Sequence, residues 1–520
     1  VKLKENKIPM TEIFLYKQNL SKSPKMNVFF AFPAIERFGM ASLGYLSIFE
    51  KLDMRDDIAV ERIFTDTKTT KMHLEDVDVI GFSNSFEIDF LAILKILEKY
   101  NIPFKSQDRT EKHPLVFGGG PVLSANPLPY SGLYDFITVG DAQGSFNQIF
   151  DILIKMKGRP KEEILKALDG IDSVWIPAFG KNKNVIPSRD ELDKPVFTPI
   201  LSDNSFFSNT FIIEIERGCP KKCNFCMASW LNLPPRFVPA DEIIKAIDFA
   251  LKYTRKIALL GAYVAGHPEF DKILKHIREQ NKAEPIELSV SSLRADLNNP
   301  DVIKTLVECG AKTATTAIEA GSDRLRKIIN KDLSEEEIFE SVKVARENGL
   351  SGLKIYVMIG IPGETKQDIN ELISLMKRLK QENKGFDIVL SLATFVPKAQ
   401  TPFQYVKRNS SKELEKKVQY LKKELHKIGI TLRPSSVEWD AVQSVLSRYG
   451  DPLTDYLIDV YKQGGNLGAF KQIWRKYQKA GKLPDFETTA DEPRGTPWDF
   501  IKTVPEEVLK KAYDKALSLM

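Results

Sequence analysis

FIIEIERGCPKKCNFC, Phe211–Cys226, runs an apolar stretch directly into three crowded cysteines, Cys219, Cys223 and Cys226. The segment FIIEI has the length and β-branched content of a strand, and the Gly and Pro that follow are the residues that end one. The cysteines therefore fall in the loop after a strand, and further along the chain the same unit recurs. Strand candidates FIIEIERG, KIALLGAYV, PIELSVSSL, KTATTAIEAG, LKIYVMIGIPG and FDIVLSLATF are each followed by a helix candidate, from PADEIIKAIDFALKY to SSKELEKKVQYLKKELHKI. Six consecutive pairs predict a partial (β/α)6 barrel over residues 206–430, with functional loops at the carboxyl ends of its strands.

Upstream, MNVFFAFPA, VDVIGFSNS, PLVFGGGPV and FITVGD alternate with helical patterns such as FLAILKILEKY and FNQIFDILIKM. Apolar runs without polar alternation, separated by helices, predict a doubly wound, Rossmann-like parallel sheet over residues 27–160. Ligands of such folds bind at the carboxyl ends of the strands, where this chain carries Ser83, Asn84, Gly118, Gly119, Gly120, Pro121, Gly140 and Asp141. Residues 1–26 are expected as an N-terminal arm. Residues 161–205, rich in turn formers, are expected as a linker or hairpin, and residues 431–520 as a small, mostly helical cap over the barrel mouth. The fold class is α/β throughout.

The 520 residues carry 75 Lys and Arg against 70 Asp and Glu, a net charge of +5. That balance gives no case for nonspecific binding to a phosphate backbone, so nucleic acid is allowed but not indicated. No apolar run reaches the roughly 20 residues of a membrane span, and the first 26 residues lack a signal peptide's cleavable apolar segment. A cytoplasmic location is expected.

Four cysteines in so long a chain make no disulfide framework, and clustering three of them points to metal or redox chemistry. The spacing C-x3-C-x2-C brings three sulfurs to one compact object, and a four-iron cluster held by three thiolates keeps one iron open for a ligand. Cys309, in LVECG at the end of a predicted barrel helix, reads as a buried structural cysteine. A structural zinc site, which wants four ligands, and unliganded thiols are the alternatives.

CPKKCNFC at the head of a six-unit barrel, with Phe225 directly before the third cysteine, resembles the radical S-adenosylmethionine (SAM) superfamily. The resemblance implies a [4Fe-4S] cluster on Cys219, Cys223 and Cys226 whose open iron chelates SAM, and one-electron cleavage to methionine and a 5′-deoxyadenosyl radical. SVSSLRAD, IEAGSDRLRKIINK and KIYVMIGIPGET resemble its SAM-binding strand ends. They imply Glu319 at the ribose, Ser291 and Arg294 at the methionyl end, Phe225 at the adenine, and Ile359 and Gly360 beside them. The Gly-Gly-Glu that holds the SAM amino group in many members is missing from LLGAYVAGHP, so another group must make that contact.

A doubly wound domain ahead of such a barrel, with VDVIGFSNS, VFGGGPVLSANP and FITVGDAQGSF, resembles the cobalamin-binding subclass, many of whose substrates are unassigned. The eight strand-end residues from Ser83 to Asp141 are then the implied cobalamin contacts. None of the five histidines sits in D-x-H-x-x-G, so histidine from that motif is not the lower cobalt ligand. The implied activity is methylation of an unactivated carbon on an unknown substrate, supported by a low-potential electron donor of the flavodoxin or ferredoxin kind. The alternatives are a non-methylating radical reaction, such as rearrangement or cyclisation, and an iron-sulfur sensor or RNA-binding module. Methylthiotransferases carry a further three-cysteine cluster in the first domain, whereas residues 1–218 here contain no cysteine.

Overall fold

The computed structural model describes residues 11–18, 23–297, 299–486 and 495–520. Most of the expected N-terminal arm lies outside them; Glu12–Phe14 pairs antiparallel with Ile200–Ser202.

The N-terminal sheet contains β1 (Met26–Ala31), β2 (Ile58–Ile63), β3 (Val79–Ser83), β4 (Leu115–Gly119), β5 (Phe136–Thr138) and β6 (Val174–Trp175), in the order β2-β1-β3-β4-β5-β6. All pairs are parallel except β5 with β6. The continuous apolar run of β1 has a direct cause: Phe29 and Ala31 enter one core while Val28 and Phe30 enter the core on the opposite face. Strand order reverses between β1 and β3, the switch point where such sheets open a crevice. Two elements depart from the expected boundaries. The edge strand β2, IAVERI, had no apolar run to announce it. Helix Lys161–Asp169 packs Ile164, Leu165 and Leu168 into this domain's core, so the domain continues through Trp175 into the supposed linker.

All six strand candidates of the second half form strands, in two parallel sheets. The first contains β7 (Phe211–Glu214), β8 (Lys256–Leu260) and β9 (Glu287–Val290), edged by the antiparallel Val196–Phe197. The second contains β10 (Leu293–Arg294), β11 (Thr313–Glu319), β12 (Gly352–Ile359), β13 (Asp387–Thr394) and β14 (Thr431–Pro434). PIELSVSSL passes from one sheet to the other, supplying both β9 and β10. One face of every strand is committed to the surrounding helices: Leu353, Ile355, Val357 and Ile359 of β12 share a core with Leu372, Leu375 and Leu414. The alternate residues point the other way. β14 is an addition, since TLRP is short and polar for a strand.

The C-terminal region divides. Helices Val437–Arg448, Thr454–Lys462 and Leu467–Lys479 join the core of the N-terminal domain, and the first of them also touches the second half, where Asp440 accepts from Thr394 Oγ1 at 2.7 Å at the end of β13. Their apolar faces meet helix Phe90–Lys99, with the Phe90 and Phe470 rings 5.8 Å apart, edge to face. The last segment also reaches the second half: Trp498 Nε1 donates to Gln404 Oε1 at 2.8 Å, and helix Glu506–Leu517 packs against the Pro402–Tyr405 turn. Among the described residues no helix is long and apolar enough to cross a membrane.

Trp474 lies wholly within this shared core. Trp474→Ala is expected to cost about 3–5 kcal/mol in urea unfolding; a loss under about 1 kcal/mol would show that the C-terminal helices do not stabilise the N-terminal domain.

Candidate functional site

The cysteine loop is fixed by its backbone. Gly218 has φ +90°, and a Cβ added there would meet the Asn232 carbonyl oxygen at 2.5 Å, so the turn into Cys219 requires glycine. Asn224 anchors the middle: its Nδ2 donates to the Ile328 carbonyl at 2.8 Å, its N–H to that of Ile329 at 3.0 Å, and its own carbonyl accepts from Phe403 N–H at 3.1 Å. Trp230 Nε1 closes the far side on the Cys223 carbonyl at 2.9 Å. Cys219 and Cys223 are buried, Cys226 is half-buried, and all are free thiols.

Burial pushes the Cys223 thiol up to about 12 against the opposing pull of Lys331 and Arg294, and burial raises Cys219 as well. Cys226 interacts electrostatically with both. On their own the Cys219 and Cys223 sulfurs keep their protons, which a metal centre bound as thiolates displaces. Among the described residues no His, Cys, Asp or Glu side chains gather in threes to hold a single ion. Three free thiols on one eight-residue loop fit a cluster that takes one sulfur per iron. Cys309 is apart from them, in the helix-facing core at the end of helix Pro300–Glu308, its thiol pushed up to about 11 by burial.

Apart from Phe225, which is in this loop, the expected SAM contacts stand at or just beyond the ends of β9, β10, β11 and β12. Arg294 pairs with Asp296 at 2.9 Å, donates to the Lys331 carbonyl at 2.9 Å and acts electrostatically on Cys219 and Cys223. Glu319 stands at a β-bulge with φ +63°, its carboxylate 3.2 Å from Lys331 Nζ. Ser291 Oγ donates to the Gly261 carbonyl at 2.7 Å. Phe225 packs against the cluster of Ile361, Phe395 and Phe403. Ile359 is buried in the helix-facing core, and Gly360, with φ +77°, donates its N–H to both oxygens of Glu364 at 3.0 Å.

Glu216 was not foreseen. It is buried, and its Oε1 accepts from Tyr263 N–H at 2.5 Å. A Cβ on Gly261 would lie 2.2 Å from that oxygen, so the loop after β8 is shaped around this carboxylate. Its Oε2 has no hydrogen-bond partner. Burial pushes the Glu216 carboxyl up to about 7, with nearby Glu214 adding to the shift. The loop that lacks a carboxylate of its own thus receives one from Glu216–Arg217, the short segment that leads into the cysteine loop. The signal in the sequence was an acidic residue closing an apolar strand three positions before the first cysteine.

At the carboxyl ends of β3, β4 and β5 lies a cavity of about 430 Å³, within the usual size of small-molecule sites. Ser83, Gly119, Gly120, Pro121, Gly140 and Asp141 line it. Asn84 and Gly118 do not: Asn84 is buried with Oδ1 accepting from Tyr134 Oη at 2.8 Å, and Gly118 makes room for Leu123 and Tyr134. No histidine is among the lining residues. The opposite wall comes from the second half of the chain, through Glu214, Arg217, Leu231, Asn232 and Leu260. Arg217 bonds Asp141 at 3.0 Å and Glu214 at 2.6 Å, and Arg236 bonds Asp141 at 2.6 Å.

A family model described as the radical SAM superfamily matches residues 213–376, and one described as radical SAM proteins, N-terminal, matches residues 44–177. An uncharacterized protein of Methanocaldococcus jannaschii is 29% identical over 434 residues, 83% of this chain and 90% of its own length. An uncharacterized methyltransferase of Pyrococcus horikoshii is 25% identical over 364 residues, 66% of this chain and 74% of its own. The solved structure of OxsB, a cobalamin-dependent S-adenosylmethionine radical enzyme with aqua-cobalamin bound, has the same fold. It superposes with a TM-score of 0.54 at 12% identity, over 95% of this chain and 80% of its own.

The raised carboxyl of Glu216 makes a signed prediction. A folded-state value above the ordinary one favours the fold fully below about 4.5, and that contribution is lost as pH rises through about 7. Glu216→Gln, measured by urea unfolding without SAM, is expected to be more stable than the parent at pH 8 by about 2–3 kcal/mol and equal to it at pH 4. Equal or lower stability at pH 8 would contradict a buried, unpaired carboxylate.

Proposed function

The chain belongs to the radical SAM superfamily through its domain at residues 213–376, and from that premise we propose that it is a cobalamin-dependent radical SAM methyltransferase acting on an unactivated carbon. One observation carries this reading: Arg217, Leu231 and Asn232, which flank the cysteine loop, are also the wall of the cleft at the N-terminal strand ends. A group on the cysteines and a group in the cleft would be neighbours across a few residues.

Cys219, Cys223 and Cys226 would hold a [4Fe-4S] cluster, and Arg294 and Lys331 offset the negative charge that three thiolates bring into a buried loop. When bound, the cluster and SAM supply a 5′-deoxyadenosyl radical that removes a substrate hydrogen, and cobalamin supplies the methyl group. Glu216 takes the place of the missing Gly-Gly-Glu: its unpartnered Oε2 accepts from the SAM ammonium. Ser291 and Arg294 orient the methionyl carboxylate, Phe225 borders the adenine, and Glu319, steered by Lys331, faces the ribose. In the cleft, Gly119 and Gly120 give a wall without side chains against which a large flat ligand can lie, and Ser83 offers it a hydroxyl. The segment Phe395–Tyr405, held by Trp498 through Gln404, closes over the substrate side. A low-potential electron donor of the flavodoxin or ferredoxin kind completes the cycle.

Cys219→Ser, Cys223→Ser and Cys226→Ser are each expected to bring iron per chain close to zero after anaerobic reconstitution, while Cys309→Ser keeps the parent's iron. Methyl-labelled SAM should give labelled product together with 5′-deoxyadenosine; a reconstituted chain that retains no corrinoid would sink the cobalamin reading, and an unlabelled product would make the reaction a non-methylating one. Glu216→Gln should weaken SAM binding about 10- to 100-fold, the loss of one charge-assisted hydrogen bond. Opposite effects on stability and SAM affinity would mark this carboxylate as a ligand group.

A further inference from the structure

Among the described residues, five with hydroxyl side chains are buried in the wall of the cleft at the N-terminal strand ends: Tyr45, Ser47, Ser124, Thr138 and Thr503. The protein itself engages four of them. Tyr45 Oη donates to the Phe30 carbonyl at 2.8 Å, Ser47 Oγ to that of Gly44 at 3.0 Å and Thr138 Oγ1 to that of Gly118 at 3.4 Å. Ser124 Oγ accepts from Gly140 N–H at 3.0 Å. Thr503 differs: it is 8% exposed, and its Oγ1 is buried with no hydrogen-bond partner. Burying a hydroxyl in that state opposes folding, and buried polar groups are ordinarily bonded. The cleft is the place from which a partner can come.

The backbone fixes Thr503 in this wall. Residues 500–503 run beside residues 185–188: Val185 N–H donates to the Phe500 carbonyl at 2.7 Å, and Lys502 N–H donates to that of Val185 at 2.8 Å. The far end of the second segment bonds the carboxyl end of β5, Ser188 N–H to the Val139 carbonyl at 3.0 Å and Asp141 N–H to the Ser188 carbonyl at 2.8 Å. Phe500 and Ile501 enter the core of the N-terminal domain. Arg189 Nη2 donates to the Thr503 carbonyl at 3.0 Å, and Gln400 Nε2, from the loop after β13, reaches the Ile501 carbonyl at 3.3 Å. A residue of the C-terminal region is thereby held beside Gly140, Asp141 and Pro187 as part of one surface.

We propose that Thr503 is a corrinoid-binding residue, its hydroxyl bonding a carboxamide arm of the macrocycle, so that the C-terminal region serves the cofactor as well as the substrate side. The proposal rests on the reading of the cleft as a cobalamin site and names a contact that its strand ends do not supply. Carboxamides line the rim of a corrin ring, each with a donor and an acceptor, and a hydroxyl pairs with either. Hydroxyl and methyl share one carbon in threonine, and one staggered step about χ1 exchanges them, so the group turns toward a ligand without backbone movement.

The test is titration of the full chain, carrying its anaerobically reconstituted cluster, with hydroxocobalamin followed by visible absorbance. Thr503→Val, which puts a methyl where the hydroxyl was, should weaken binding about 5- to 20-fold, and Thr503→Ser should stay within about threefold of the parent. Thermal melts separate binding from folding. Without cobalamin, Thr503→Val should melt at or above the parent, because an unpaired buried hydroxyl has been removed; with saturating hydroxocobalamin the parent should gain more than the variant. A Thr503→Val chain that binds hydroxocobalamin as the parent does, or that melts several degrees below it without cobalamin, would overturn the proposal. A parent chain that takes up no hydroxocobalamin would instead remove the cobalamin reading beneath it, so the two failures are read separately.

Discussion

Two arginines converge on one aspartate, and that junction holds the two halves of the molecule in register. Asp141 stands at the carboxyl end of the N-terminal sheet; Arg217 and Arg236 come from the short antiparallel ribbon that flanks the cysteine loop. Burial opposes the Asp141 charge, but Arg217, the Asp190 N–H and Arg236 outweigh it and hold the carboxyl below the usual carboxylate range. Losing one partner of such a buried set costs about 3–5 kcal/mol, because the remaining charges are stranded. Arg217 lies between Glu216 and Gly218, so the bond that locates the cleft also locates the carboxylate on one side and the first cysteine on the other.

Much of this architecture was legible because parallel strands read as largely apolar runs. FIIEI, KIALL and LKIYVMI announce themselves in that way although Leu260 and Tyr356 are exposed on the face away from the helices, and β1 does so because its alternate residues fill two separate cores. The elements that escaped lack that property. IAVERI is an edge strand with only its end residues buried, and TLRP is polar except at Leu432, so neither has an apolar run. The helices after residue 436 were recognisable as helices. Their partner was not, because an amphipathic face states that something covers it without saying what; Phe90 supplied the answer from nearly 400 residues away.

The site divides along the same line. Local spacing gave the three cysteines, and strand-end composition located most of the cleft. Which side chain faces inward was beyond its reach: SNS correctly marks the end of β3, but Ser83 lines the cleft while Asn84 turns into the core toward Tyr134. Asn224, Lys331 and Glu216 matter through contacts 104, 12 and 47 positions away in sequence, and nothing beside them announces those partners. Glu319 was singled out from its strand end, yet its rotamer is governed by Lys331, a residue that reads in isolation as one more basic position in a helical stretch.

The distribution of charge around the cysteine loop explains why an acidic residue belongs three positions before it. Arg294 and Lys331 sit beside the thiols and favour anions there. On the other side, Gly261 and Tyr263 wrap the Glu216 carboxylate and leave one oxygen unpaired, an arrangement that favours a cation. Ser291, bonded to the Gly261 carbonyl and three residues before Arg294, links the two sides. A ligand with an ammonium and a carboxylate on one carbon matches this polarity end for end, whereas a simple anion or cation satisfies half of it. The amino-acid end of SAM is such a group. With a charge-assisted hydrogen bond worth roughly 1.5–3 kcal/mol, a cation accepted by the free Oε2 of Glu216 would offset the cost of burying that oxygen, and an uncharged group in its place would offset less.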